Sequence, residues 1–232
     1  DKSNEIPALR DLLAPMDLDG AVVTADAMHT QKGTAEWIRS RSAHYLLTVK
    51  DNQPGLKREL GALPWKDVPA VSSVDTGHGR RVRRTVQAVE APEWIDFPGA
   101  AQVVRIRRTT TTAKRGSTGG NGRAKKKTTT TEVVHLICSL PMDQAQPEAV
   151  ASWARGHWAI ENRLHWIRDV VFDEDRHQLR TANGPQIMAA LRNLAISLIR
   201  LVHGPRAPIA ATTRAMARRP RRAIRLLTQP TT

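Results

Sequence analysis

The sequence predicts an α/β fold that carries a β-rich insertion and ends in helices. Three observations support this. The β-branched run Val22-Val23-Thr24 leads into Asp26, and a second apolar run covers His44 to Lys50, with helix-like spacing between the two. Strand, helix, strand is the crossover unit of an α/β sheet. From about residue 66 the pattern changes to polar-apolar alternation, and from Pro147 it changes again to helical periodicity.

In order along the chain, Ile6, Leu9, Leu12 and Leu13 fall at helical spacing, so residues 5–13 are expected to be helical. Residues 20–25 read as a short buried strand, 34–42 as a helix and 44–50 as a second strand. Asp51-Asn52-Gln53-Pro54 stops that strand, and a helix is expected near 54–62. Strands are expected within 81–89, 102–107 and 132–138. The Thr-, Gly- and Lys-rich stretch from Thr109 to Thr131 reads as a long flexible loop. A helix is expected from Pro147 to about Arg168. A second runs from Pro185 to about Val202 and is ended by Gly204-Pro205. The last 28 residues are rich in Arg, Ala and Pro and are expected to be only partly ordered. The resulting division is 1–65, an insertion over 66–145, helices over 146–203 and a basic tail over 204–232.

The 232 residues are enough to bury a core. The net charge of +14 is unevenly spread. Residues 105–127 and 204–232 together hold sixteen Lys and Arg and no acid, which leaves the remainder close to neutral. Such blocks suit a polyanion, because neutralised phosphates release counterions. A solubilising loop and a frayed end are the plainer reading. Cys138 is the only cysteine, so no intramolecular disulfide or thiolate metal cluster is expected, and its apolar run points to a buried, inert thiol. No stretch is read as a membrane span and no secretory signal is recognised, so a cytoplasmic setting without membrane partners is the default.

Two carboxylates stand out. Asp26 follows a buried strand, the position where open α/β sheets place functional groups, although a cap or turn residue would look the same. Glu161 lies in a helix-like run in which His157, Glu161, His165 and Arg168 are spaced by 4, 4 and 3, which puts them on one arc. Trp153, Ile160, Leu164, Ile167 and Val171 form the adjoining apolar stripe. An exposed Glu making contacts one turn away on each side fits that spacing equally well. Trp153, Trp158 and Trp166 read as packing residues. Asp173, Glu174 and Asp175 read as a charge cluster ending the helix rather than as ligands. Lys50, Asn52 and Gln53 follow a strand and suit either substrate contact or a polar turn. Arg80, Arg81, Arg83 and Arg84 suit phosphate.

These motifs recur together in a known family. Thr24-Ala25-Asp26-Ala27 with His29-Thr30-Gln31, Val49-Lys50-Asp51-Asn52-Gln53, His78-Gly79-Arg80 and the long run His157 to Trp166 all appear in order. Arg168-Asp169-Val170 and Phe172-Asp173-Glu174-Asp175 follow them. Over residues 1 to about 200 the chain resembles the ISAs-type insertion-sequence DDE transposases. The resemblance implies a partial RNase H-like core, with the β-rich insertion lying between the second Asp and the Glu. It also implies a two-ion Mg²⁺ (or Mn²⁺) site with Asp26 and Glu161 as catalytic ligands. His157, Asn162, His165 and Arg168 would support them, and Lys50, Asn52, Gln53 and the arginines of 80–84 would contact DNA. DNA would be the partner, a homo-oligomer could assemble on it, and a nucleoid-associated location would follow. The family's first Asp lies on a strand upstream of the segment that matches Asp1 to Glu5. None of Asp11, Asp17 and Asp19 follows a buried strand, so the expectation is a transposase fragment that is inactive alone. A non-catalytic DNA-binding remnant that interferes with an intact transposase is the alternative. A basic RNA-associated protein is the reading from outside the family.

Overall fold

The computed structural model describes residues 5–77, 79–113, 127–160, 165–179 and 181–228. They fall into two compact units, Asp1–Arg155 and Gly156–Thr232.

The first unit is built on one six-stranded sheet. Its strands are β1 (Val22–Ala25), β2 (His44–Val49), β3 (Val71–Gly77), β4 (Arg80–Glu90), β5 (Gln102–Ala113) and β6 (Lys127–Cys138). Their spatial order is β1-β2-β6-β5-β4-β3. Only β1 and β2 are parallel, in the register Val22 to His44 and Ala25 to Leu47. The helix α2 (Lys32–Ser40) connects them, as the alternation of strand and helix predicts. The other pairings are antiparallel. The helices α1 (Glu5–Leu13) and α3 (Pro54–Gly61) also lie where periodicity put them. Pro54 opens α3, where its missing N–H costs nothing and its fixed φ suits a first turn.

Side-chain alternation divides the sheet into two faces. The odd-numbered residues of β2, β5 and β6 share one face, and their pairing puts Arg81, Arg83, Thr85, Gln87 and Val89 of β4 there too. At its base this face is sealed. Tyr45, Leu47, Val49, Val103 and Ile137 pack in one core with Ala35 and Ile38 of α2, Leu60 of α3, and Leu63, Trp65, Ile95 and Phe97 from connecting segments. A fully buried side chain of this size contributes about 1.5–3 kcal/mol by leaving water. The opposite face buries Leu46, Val86, Ala88, Val104, Ile106 and Leu136. On that face Gln102 donates to the Leu140 and Ala145 carbonyls, tying β5 to the segment that leads into α4 (Pro147–Ile160).

The boundaries expected at 65 and 145 both fall inside one sheet-bearing unit, in which β6 pairs directly with β2. Two sequence expectations change here. The strand β3 was not anticipated. Its sequence, Val71-Ser72-Ser73-Val74-Asp75-Thr76-Gly77, is mostly exposed and polar, and it is held by pairing with β4 rather than by burial. The stretch expected to be flexible from Thr109 to Thr131 is strand at both of its ends. Thr109–Thr112 pair in register with Thr131–Thr128, so both runs are strand, and residues 114–126 lie outside the described residues. Threonine is β-branched and suits a pleated ribbon even where nothing covers it.

The second unit begins within the end of α4. A π-helical turn covers Ile167–Val171, followed by a 3-10 turn, Glu174–Arg176, and the helices α5 (Gly184–His203), α6 (Ile209–Arg218) and α7 (Pro220–Thr228). Gly204 ends α5 at a φ of 85°, which a side chain would resist. The tail expected to be only partly ordered is helical to residue 228. Ala and Arg are good helix formers, and Ile209 is buried against Ile167, Ile196 and Ile199 while Met216 packs on the same cluster. Among the described residues α5 is the one helix long and apolar enough to cross a membrane by length and composition, which corrects the expectation that no stretch reaches that length. Its buried Arg192 lies 3.4 Å from Glu174 and its Ile196 and Ile199 serve the local core, while Ile187, Leu191, Leu194 and Leu201 are exposed.

Candidate active site at the end of the parallel strands

Asp26 directly follows β1, at the C-terminal end of the parallel pair. Its Oδ1 accepts a 2.7 Å hydrogen bond from the Ala27 amide and caps the 3-10 turn Ala27–His29. The capping role weighed in the sequence is therefore present, and it fixes the carboxylate's direction. Lys50, directly after β2, places Nζ 3.1 Å from the same oxygen. Both side chains are about half exposed, so the pair adds little stability, within about 1 kcal/mol.

The turn after Asp26 is locked from the neighbouring strand. Asn52 Nδ2 donates to the Ala27 carbonyl at 2.5 Å, and Gln53 Nε2 donates to the Thr30 carbonyl at 2.9 Å and to Gln31 Oε1 at 3.2 Å. Thr30 Oγ1 is buried and donates to the Thr48 carbonyl at 2.6 Å. Asn52 and Gln53, expected to touch DNA, thus use these amide donors to hold the Asp26 turn. His29 Nδ1 is buried there without a hydrogen-bond partner.

The second motif is only partly described. Glu161 and Asn162 lie outside the described residues, as do His78 and Arg180. His157 is half-buried near the end of α4, and His165 is exposed. Arg168 is held in a bidentate ion pair. Its Nε and Nη2 donate to the two oxygens of Glu174 at 2.5 and 2.6 Å, and Arg192 approaches Glu174 from α5. The hydrogen bond from Arg168 holds the Glu174 carboxyl below its ordinary range, and Glu174 in turn raises the Arg168 guanidinium. Glu174 is therefore a structural ion-pair partner, in line with the reading of that acidic cluster as structural. Ile160 of the apolar stripe and Trp166, expected as a packing residue, differ from expectation: they are 54 % and 52 % exposed. The π turn over 167–171 adds a residue per turn, so a strict 100° count does not carry through it.

The basic residues separate by face. Arg84 is ion-paired with Asp75, and Arg108 lies 3.7 Å from Glu132, both pairs on the sheet face away from the Tyr45 and Leu47 core. Arg80 shares that face at the start of β4. Arg81 and Arg83 lie on the other, beside Arg105 and Arg107 of β5, which the sequence had placed only in a basic block. Alternation along β4 marks which arginines share a face, but only the β4–β5 register shows what lies next to them.

Among the described residues no three His, Cys, Asp or Glu side chains converge as a metal site. Asp26 offers one carboxylate and Lys50 already approaches it, so the described donors do not make a divalent-ion cage. Cys138 is buried, and burial pushes its thiol up to about 11, which makes it unreactive as expected.

A family model for the transposase DDE domain matches residues 1–198. Over 209 residues the chain is 32% identical to the "H repeat-associated putative transposase YhhI" of Escherichia coli (strain K12), an alignment that covers 86% of this chain and 52% of that protein. It is 31% identical over 205 residues to "Putative protein YbfL" of the same strain, covering 85% and 52%. It is 30% identical over 206 residues to "Putative transposase YncI" of Escherichia coli O157:H7, covering 86% and 50%. The chain spans about half the length of these curated relatives. With the family model running through both the Asp26 strand and the 157–166 motif, the chain belongs to the insertion-sequence DDE transposase family.

Proposed function

We propose that the chain forms part of a DNA transposase in which Asp26 and Glu161 are two of the acidic ligands for Mg²⁺ (or Mn²⁺), and that alone it is inactive in strand cleavage and transfer. The family generally uses divalent metal ions. The observation that supports the reading is the position of Asp26. It stands at the end of a parallel strand, on a turn anchored by Asn52, Gln53 and Thr30, as a preorganised ligand requires. The Lys50 ammonium against Asp26 supports the inactive half of the proposal, because it offsets the negative charge that a two-ion site needs there.

In this reading the sheet is the flank of an RNase H-like core. Among the described residues the edge strand β1 pairs with β2 alone, and its outer edge is where a strand carrying the remaining carboxylate would pair. His157, Asn162 and His165 would support Glu161. The partner is DNA, bound at the transposon ends and target, with an oligomer assembling on it. The second reading, a non-catalytic DNA-binding remnant, is favoured by the same Lys50–Asp26 pair.

The test is Mg²⁺-dependent nicking and joining of a duplex carrying the element's terminal inverted repeat. The purified chain is expected to bind the duplex without cutting it. Robust cutting that Asp26→Ala and Glu161→Ala each abolish would overturn the inactivity. Absence of DNA binding would overturn the transposase-part reading and the remnant reading together.

A further inference from the structure

The sheet's arginines fall into two sets that the sequence does not separate. Arg83 and Arg84 are consecutive, as are Arg107 and Arg108, and each pair splits across the two faces. The even-numbered members are engaged: Arg84 pairs with Asp75 and Arg108 with Glu132. The odd-numbered members share a shallow basin of about 320 Å³ lined by Ala70, Arg83, Thr85, Gln87, Arg105, Arg107 and Thr109. On that face no sheet residue from β1 to β6 is an Asp or Glu among the described residues, and no ion pair reaches Arg81, Arg83, Arg105 or Arg107.

The floor of the basin is built rather than incidental. Arg105 lies over the Trp65 ring at 4.8 Å and donates from Nε and Nη2 to Gln87 Oε1 at 3.1 and 2.5 Å. Gln87 is itself fixed by donating to the Trp65 and Val68 carbonyls. Partial burial, and then the Arg107 charge, hold the Arg105 guanidinium below its ordinary value, so positive charge is concentrated there without compensation. An anion would relieve that repulsion, and the Thr85 and Thr109 hydroxyls could add neutral donors.

The basin also has a defined place relative to Asp26. Arg105 pairs with His135, which pairs with Val49, so the basin begins level with the end of β2, where Lys50 meets Asp26. Three strand spacings separate β1 from β5, roughly 14 Å.

We propose that Arg83 and Arg107, over the floor made by Arg105 and Gln87, form a docking surface for the sugar-phosphate backbone of DNA, and that Arg84 and Arg108 on the opposite face do not. This rests on the reading of the chain as part of a DNA transposase and deepens it by naming the surface that positions the duplex. The contact is to phosphate and carries no sequence preference.

The experiment compares two double variants with equal loss of charge from the same two strands. Binding of a 30-base-pair duplex of arbitrary sequence is titrated against salt for the full chain, Arg83→Ala/Arg107→Ala and Arg84→Ala/Arg108→Ala. The first variant should weaken binding by on the order of tenfold and flatten the log–log salt slope by roughly two units, about 0.9 per lost phosphate contact. The second should stay within about twofold with an unchanged slope. An Arg83→Lys/Arg107→Lys variant should keep the slope, which separates lost charge from lost folding. Equal losses in the two alanine variants, or no loss in the first, overturn the docking surface while leaving the DNA reading intact. No binding by the unaltered chain overturns both.

Discussion

The base of the sheet and its far end are built on different principles. At the base, β2 is buried on both faces, and side chains reach across to lock the backbone: Thr30 to Thr48, Asn52 to Ala27, Gln53 to Thr30, and the Tyr45 amide to Ser139 Oγ. At the far end of β5 and β6 the facing threonines 109–112 and 128–131 are partly or fully exposed, and ladder hydrogen bonds and cross-strand neighbours hold them. The base can therefore hold one carboxylate in a fixed direction, while the far end presents cations on a ribbon that tolerates substitution.

The largest expected effect breaks that comparison if it fails. Ile137 is fully buried at the base, so Ile137→Ala should cost about 2–5 kcal/mol in urea unfolding. Thr111→Ala, in the same ladder but exposed to water, should cost no more than about 1 kcal/mol. Similar costs at the two positions would mean that the sheet is not divided in this way.

An intermediate effect sharpens the account of Asp26. Asn52→Ala removes the donor to the Ala27 carbonyl and should cost about 0.5–1.5 kcal/mol. It should also speed hydrogen exchange at the His29 and Thr30 amides, which bond to the Asp26 and Ala27 carbonyls. A stability loss without faster exchange at those two amides would show that Asn52 stabilises the fold without holding the turn.

This division also sets what could be read from the sequence. The parallel pair, α2, α3 and the position of Asp26 were legible, because buried strands leave apolar runs, amphipathic helices leave periodic patterns, and turns leave stop signals. The strand β3 and the paired threonines were not, because exposed strands held by backbone pairing leave no hydrophobic signature. The common sheet was also hidden, since nothing local in β2 or β6 specifies that Leu47 meets Ile137. The roles of Asn52 and Gln53 were ambiguous for a related reason. A polar residue after a strand looks the same whether its amide faces a ligand or a backbone carbonyl. The tail's helices leave little apolar pattern in an Arg-rich stretch, and only Ile209 and Met216 mark the face that docks.

The smallest expected effect comes from His135, which sits on the odd-numbered face of β6 where base and far end meet. Burial first, then the charges of Arg105 and Lys57, lower its pKa below the ordinary 6.5. The unfolded chain therefore takes up a proton at a higher pH than the folded one. Stability from this group is fully present above about pH 6.5 and declines as the pH falls toward the lowered folded value. His44 shifts in the same direction, lowered chiefly by burial and then by Arg39, so wild-type pH dependence alone does not isolate His135. The measurement is the difference between wild type and His135→Gln in urea midpoints at pH 7.5 and pH 5. The variant should lose less stability on acidification than the wild type. Equal losses would mean that His135 is solvated well enough to be protonated in place, and that the seal over the base ends before residue 135, closer to Ile137 than the packing of Trp65 on the His135 ring indicates.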